Sequence, residues 1–167
     1  MPEIFVGLGA NLGDPAHNLR SAVAYLRDVM EVSALSSLYR TEPVGLREQP
    51  RFLNAVLGGS TMLTPRELIE AFARIEGALG RVRVTPMGPR TLDLDLLLYG
   101  SQVVEEAGVQ VPHPRMAARR FVLLPLAEIA PQARHPLLGL TAAEMLARLP
   151  EAEAVEKVEM EAWPPGV

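Results

Sequence analysis

The stretch Phe52-Leu53-Asn54-Ala55-Val56-Leu57-Gly58-Gly59-Ser60-Thr61, followed closely by Thr64-Pro65-Arg66-Glu67, decides the fold. The first run is almost wholly apolar or small and too short for a buried helix, so it reads as a strand. Thr64 and Glu67 have the spacing of a capping box, with Pro65 in the first turn, where its missing N–H is harmless. Leu68, Phe72, Ile75 and Leu79 then recur at helical spacing, and Gly80 ends the helix. A covered strand runs into an amphipathic helix.

The flanks supply the rest of the pattern. Towards the N-terminus, Ile4 to Gly9 is a first buried strand, and Gly9 to Gly13 is a loop built for tight turns. Asp14 caps a helix with Pro15 at its first position, and Leu19, Val23 and Leu26 give it one apolar face. A strand-like segment follows from Glu31 to Arg40, then a proline-punctuated loop from Thr41 to Pro50. Towards the C-terminus, beyond the loop Arg81 to Arg90, Leu92 to Tyr99 alternates as a strand does and stops at Gly100. The order β-α-β-β-α-β predicts an α+β fold of ferredoxin-like plan, with an antiparallel sheet and both helices on one face. Short strands are expected near Gln102 to Val104 and Gln110 to Val111. Helical pieces over 115–129 and 141–148 would cover the other face, making three layers, α/β/α. The acidic tail, 151–167, supplies an edge strand or a frayed end. Residues 1–167 read as a single domain without repeat or linker.

Composition narrows the function. The chain has 167 residues, 49% of them apolar, enough for one sizeable core. With no cysteine, it has neither a disulfide scaffold nor a thiolate metal site nor a cysteine nucleophile. Its cations are 15 arginines and the single Lys157, and its only aspartates are Asp14, Asp28, Asp93 and Asp95. The net charge of −4 arises wholly within Glu151 to Glu161, which leaves a balanced body unlike that of a general nucleic-acid binder. The opening Met-Pro-Glu-Ile-Phe-Val enters a strand at once, and the longest apolar run, Phe121 to Ala127, is far short of the ~20 residues of a membrane helix. The expectation is a cytoplasmic protein with no membrane and no nucleic-acid partner.

Four groups of residues can carry chemistry. Alternate residues of a strand share a face, so Asp93 and Asp95 project together, with Thr91 in line and Leu92, Leu94 and Leu96 opposite. Two adjacent carboxylates repel unless a cation sits between them, and hard oxygen donors without histidine or cysteine suit magnesium shared with phosphate. The bland alternative is a pair of incidental acids on a solvated strand. The loop Arg81 to Arg90 carries Arg81, Arg83 and Arg90 with Pro86, Gly88 and Pro89. Guanidinium forks match phosphate oxygens, and such a loop can close as a lid. His113 is stiffened between Pro112 and Pro114, with Arg119 and Arg120 following. Finally, Phe52 and Asn54 share a face on one strand. Core packing alone explains both Phe52 and Phe121, from the late segment, whereas an amide inside an apolar strand needs partners, which a flat heterocycle between the rings would supply. The chain lacks a Gly-x-x-x-x-Gly-Lys loop, and its lone lysine is in the tail, so any phosphoryl transfer here must rely on arginine.

Gly88-Pro89-Arg90-Thr91-Leu92-Asp93-Leu94-Asp95 closely resembles the signature of the 6-hydroxymethyl-7,8-dihydropterin pyrophosphokinase family, which acts in folate biosynthesis. The N-terminal Gly7 to Gly13, Tyr39 to Gly45, Gln49 to Val56 and Val111 to Met116 with Arg119 and Phe121 add to the resemblance, which spans about 4–132 in order. It implies an enzyme, a magnesium-dependent kinase that moves the β,γ-pyrophosphoryl group of ATP to the pterin's hydroxymethyl oxygen and releases AMP. It further implies that Asp93 and Asp95 hold two Mg2+ ions and that Arg81, Arg83, Arg90, His113 and Arg119 contact the triphosphate. Leu96 falls among the ATP contacts. The pterin would lie between Phe52 and Phe121, read by Asn54 and by Thr41, Glu42, Val44 and Gly45. Met87 stands where some relatives carry tryptophan, and Pro114 where some carry tyrosine. Two other classes remain open at this stage: a different two-metal phosphoryl enzyme, which would release pyrophosphate, and a non-catalytic ferredoxin-like binding module. A monomer is expected.

Overall fold

Local signals set the two helices that flank the middle of the chain. The Asp14 carboxylate accepts from the His17 amide at 3.2 Å and starts α1, Pro15–Leu26. Thr64 and Glu67 exchange side-chain and backbone hydrogen bonds at 2.9 and 3.2 Å, which closes the capping box and starts α2, Pro65–Ala78. The computed structural model describes residues 1–41, 51–80, 91–150, 154–160 and 162–165. Within these the remaining elements are β1 (Glu3–Ala10), β2 (Glu31–Leu35), β3 (Leu38–Thr41), β4 (Phe52–Ser60), β5 (Asp93–Tyr99), β6 (Val104–Glu106), β7 (Val109–Val111), α3 (Arg120–Ile129), α4 (Ala142–Ala147) and β8 (Val155–Val158).

The described strands of the main sheet run β5-β1-β4-β3-β8, with β2 also beside β4, and every neighbouring pair is antiparallel. This is the expected βαββαβ plan, with β8 added at one edge. The acidic tail thus supplies an edge strand, Leu38 to Thr41 pairing with Val158 to Val155.

One expectation needs correction: Glu31 to Arg40 is two strands. β2 pairs with the second half of β4 and β3 with its first half. Between them the Ser36 hydroxyl accepts from the Val56 amide at 2.9 Å and donates to the Ser37 carbonyl at 2.8 Å. A serine side chain has taken the place of a ladder carbonyl there, a competition that such residues invite and that apolar patterning does not reveal. The late segment also differs in detail. Its first short strand begins at Val104, two residues beyond the expected start, and the helix expected over 115–129 divides into a 3-10 turn, Met116–Ala118, and α3, with Arg119 extended between them.

The alternation of the strands feeds two cores. On one face Ile4, Val6, Leu8, Leu53, Ala55, Leu57, Leu94 and Leu96 pack against Leu19, Val23 and Leu26 of α1 and Leu68, Phe72 and Ile75 of α2. On the other face Phe5, Val56 and Leu97 meet Val122, Leu123 and Leu126 of α3 and Ala142 and Met145 of α4. Helices therefore lie on both faces of the sheet. Burial of these large side chains contributes roughly 1.5–3 kcal/mol each, so the two cores dominate stability.

Candidate active site

Among the described residues, the second face is covered over only half its length. Residues at steps of two from its apolar core are Gly7 and Gly9 on β1, Asn54 and Phe52 on β4, and Asp95 and Asp93 on β5. None of these six belongs to the core beneath α3 and α4. The sequence switches from apolar to polar along three neighbouring strands at the same level, and that level is the site.

Register aligns it further. Gly9 stands opposite Asp93 on one side and Asn54 on the other, Asn54 stands opposite Tyr39, and Gly7 stands opposite Asp95. The carboxylates and the amide are thus separated by one strand that carries no side chains there. A Cβ on Gly9 would come within 3.0 Å of Asn54 Oδ1, so the amide lies over the glycine. Asn54 Nδ2 donates to Thr41 Oγ1 at 2.9 Å, and both residues are buried. Phe52, half-buried, shares this face, and Phe121 lies in the first turn of α3.

His113 is fastened to β5 by its amide, which donates to the Leu97 carbonyl at 3.0 Å. Its Nδ1 accepts from the Arg115 amide at 3.2 Å, which leaves the proton on Nε2. That nitrogen faces Asp95 Oδ1 at 3.6 Å, an electrostatic contact longer than a hydrogen bond. Burial pushes the Asp95 carboxyl up, but His113 and the positive field of Arg119 and Arg115 outweigh it, so the group sits below its ordinary pKa and is ionised at neutral pH. Arg119, in the extended link before α3, also places its guanidinium carbon 5.4 Å from the centre of the Phe121 ring. One arginine thereby touches the aromatic part of the site and acts on its carboxylate part.

Beside Asp95 and His113 lies a cavity of about 310 Å3, lined by Ile69, Leu94, Asp95, Leu96, Glu106, Gly108, Val109, Gln110, His113 and Pro114. It opens along β5 between α2 and the β6–β7 hairpin. The Leu94 amide in its wall donates to the buried Glu76 carboxylate at 2.8 Å. Leu96 itself is buried with the α1–α2 core. Arg66 reaches from α2 to Glu106 at 3.1 Å and to the Ala107 carbonyl at 3.0 Å, tying the hairpin in place.

The structure thus brings together Asp93, Asp95, His113 and Arg119, and, on the same face, Thr41, Phe52, Asn54 and Phe121. Arg81, Arg83, Arg90, Glu42, Val44 and Gly45, with the proposed lid loop, lie outside the described residues. The cavity wall supplied by Ile69, Glu106 and Gln110 was not legible in the sequence, because three elements distant in the chain build it. Among the described residues no group of three or more His, Cys, Asp and Glu could hold a metal. Two carboxylates on one face, opposite glycines, still fit a magnesium ion whose other ligands come from phosphate and water.

A family model for 7,8-dihydro-6-hydroxymethylpterin-pyrophosphokinase matches residues 5–131. Proteins named 2-amino-4-hydroxy-6-hydroxymethyldihydropteridine pyrophosphokinase are similar along most of their length. That of Pseudomonas aeruginosa is 42% identical over 158 residues, covering 93% of this chain and 96% of the relative. That of Bacillus subtilis is 47% identical over 130 residues, covering 77% and 78%. The chain belongs to the 7,8-dihydro-6-hydroxymethylpterin-pyrophosphokinase family. The fold agrees: the crystal structure of Plasmodium falciparum HPPK-DHPS superposes with a TM-score of 0.72 over 88% of this chain at 13% identity. This chain spans 44% of that longer one. The pyrophosphokinase match includes every site residue above and ends before α4 and β8.

Proposed function

We propose that this chain transfers the β,γ-pyrophosphoryl group of ATP to the hydroxymethyl oxygen of 6-hydroxymethyl-7,8-dihydropterin, giving AMP and the pterin diphosphate, a step of folate biosynthesis. The observation that carries this reading is the open half of the sheet face, where Asp93 and Asp95 stand one strand away from the amide of Asn54. Donor and acceptor sites so placed share a border, which in-line transfer requires.

Asp93 and Asp95 would hold two Mg2+ ions, which supply neutralisation of phosphate charge and polarisation of the acceptor oxygen. Asp95 is suited to this because His113, Arg119 and Arg115 keep it ionised. His113, with its Nε2 proton turned towards the carboxylates, and Arg119 bind triphosphate oxygens, joined by Arg81, Arg83 and Arg90. Phosphoryl chemistry asks mainly for alignment and electrostatic stabilisation, and a donor set of arginines and one histidine provides both without a lysine. The cavity along β5 accepts the nucleoside, with Leu96 in its wall. Phe52 and Phe121 contact the faces of the pterin, while Asn54, Thr41, Glu42, Val44 and Gly45 read its edge. The amide of Asn54 retains donor and acceptor capacity beyond its bond to Thr41.

Residues 1–167 fold as one domain, which acts as a monomer in the cytoplasm. No helix among the described residues is long and apolar enough to cross a membrane. The deciding experiment is nucleotide analysis after incubation with magnesium, ATP and the reduced hydroxymethylpterin. AMP appearing only when the pterin is present supports the assignment. ADP or free pyrophosphate as the product overturns it.

A further inference from the structure

Away from the reacting groups, at the C-terminal end of α3, one carboxylate collects an unusual number of donors. Glu128 accepts from the Tyr39 hydroxyl at 2.6 Å, from the Ser37 hydroxyl at 2.9 Å and from the Ser37 amide at 3.1 Å to each oxygen. Ser37 and Tyr39 flank the start of β3, the strand that ends in Thr41. Tyr39 is buried and stands opposite Asn54. Burial and the neighbouring carboxylate hold the Tyr39 phenol above its ordinary range, so it remains a donor at any working pH.

The geometry of α3 gives this cluster reach. Phe121 and Glu128 are seven residues apart, about two turns, so they project from nearly the same side of the helix and lie roughly 10 Å apart along it. The helix runs from the site outward. Arg119 before its first turn acts on Asp95, while Ile129 at its end approaches the position a Cβ on Gly58 would take, at 3.6 Å. Between them Val122, Leu123 and Leu126 make apolar contacts, which seat the helix on the sheet without a directional bond. Pro125 interrupts the helix's own hydrogen bonding, so an outside anchor matters more. The directional bonds at Glu128 supply that anchor.

We infer that Glu128 is a positioning residue of the acceptor pocket: by gripping Ser37 and Tyr39 it sets Phe121, on α3, at a fixed distance from Thr41 and Asn54, on the sheet. This rests on the pterin reading above. The anchor serves the aromatic wall of the pocket and leaves the nucleoside cavity, on the far side of β5, alone.

The test uses the full chain with Glu128→Ala, Glu128→Gln and Tyr39→Phe, titrating the reduced hydroxymethylpterin and magnesium-ATP separately and measuring KM for each. In Glu128→Ala the pterin dissociation constant and KM should rise about tenfold, a modest share of what ångström-scale misplacement costs, and magnesium-ATP affinity should fall by clearly less, about threefold at most, because Arg119 just ahead of the helix is one of several triphosphate ligands. Glu128→Gln keeps one acceptor oxygen and should recover part of the loss, and Tyr39→Phe should show a smaller loss of the same kind. If Glu128→Ala does not fold, Tyr39→Phe carries the same comparison. Unchanged pterin affinity with a lower melting temperature, or equal losses for both ligands, makes Glu128 merely structural and overturns the inference. AMP formation by the wild type is scored apart, so failure of the functional reading is seen independently of failure at Glu128.

Discussion

Asp93, Asp95 and Asn54 owe their meaning to Gly7 and Gly9, which hold the strand between them free of side chains. Asp93→Ala and Asp95→Ala should each lower turnover more than about 100-fold, since loss of even an outer partner of a metal costs 10–100-fold. Each should leave the fold within roughly 2–4 °C of wild type in melting temperature, the scale of ~1 kcal/mol. Near-normal turnover at saturating magnesium in either variant would dismiss the metal assignment. Asn54→Leu should weaken pterin binding by about 1–3 kcal/mol, the scale of an unsatisfied buried polar partner, or roughly 5- to 150-fold. Titrations of the two ligands decide this, because ATP affinity should stay put. The amide was legible in the sequence as an oddity inside an apolar strand. Its bond to Thr41 was not, since it joins residues thirteen positions apart and depends on strand register.

At the scale of elements, the caps of α1 and α2 were readable because a cap is a contact between residues three apart, complete within the sequence. Thr64→Ala removes the hydroxyl that receives the Glu67 amide and should cost about 1 kcal/mol, lowering the melting temperature by roughly 2–4 °C. Turnover at 25 °C and saturating ATP should stay within about twofold of wild type, because a loss of ~1 kcal/mol leaves the chain folded and the reacting groups Asp93, Asp95 and His113 lie outside α2. A scanning melt beside an initial-rate assay checks both halves, and a fall in rate without a fall in melting temperature counts against it. The break between β2 and β3 was invisible in the sequence for the opposite reason. Ser36 becomes a strand-breaker only when the Val56 amide arrives from twenty residues away. β8 likewise became a strand because β3 offered a free edge, and Trp163 reinforces that edge by donating its indole N–H to the Ser36 carbonyl at 3.0 Å.

The molecule as a whole has a pH response seated away from the active site. His135 is buried, and its Nδ1 accepts from the amides of Leu137 and Leu138 at 3.2 Å. Burial holds its pKa below the ordinary histidine value, so the folded chain takes up this proton less readily than the unfolded chain. Its contribution to stability is complete above pH ~6.5 and declines as pH falls from there towards the folded value. Asparagine can accept the same two amides, so His135→Asn should keep most of the stability and flatten this part of the slope. Urea midpoints between pH 5 and 7.5 test it, and an identical slope in both proteins would refute the assignment. A histidine preceding a proline gave no sign of this, because burial is a property of the assembled fold. The sequence by itself determined the βαββαβ order, the caps, the paired aspartates and the membership of the family, all of which rest on local periodicity or short contiguous motifs. The tertiary structure alone decided that α3 and α4 cover the apolar half of one sheet face and not its polar half, that Asp95 meets His113, and that Glu128 of α3 bonds Ser37 and Tyr39. Those depend on which strands become neighbours and on where α3 and α4 stop covering the sheet, and long-range packing fixes both.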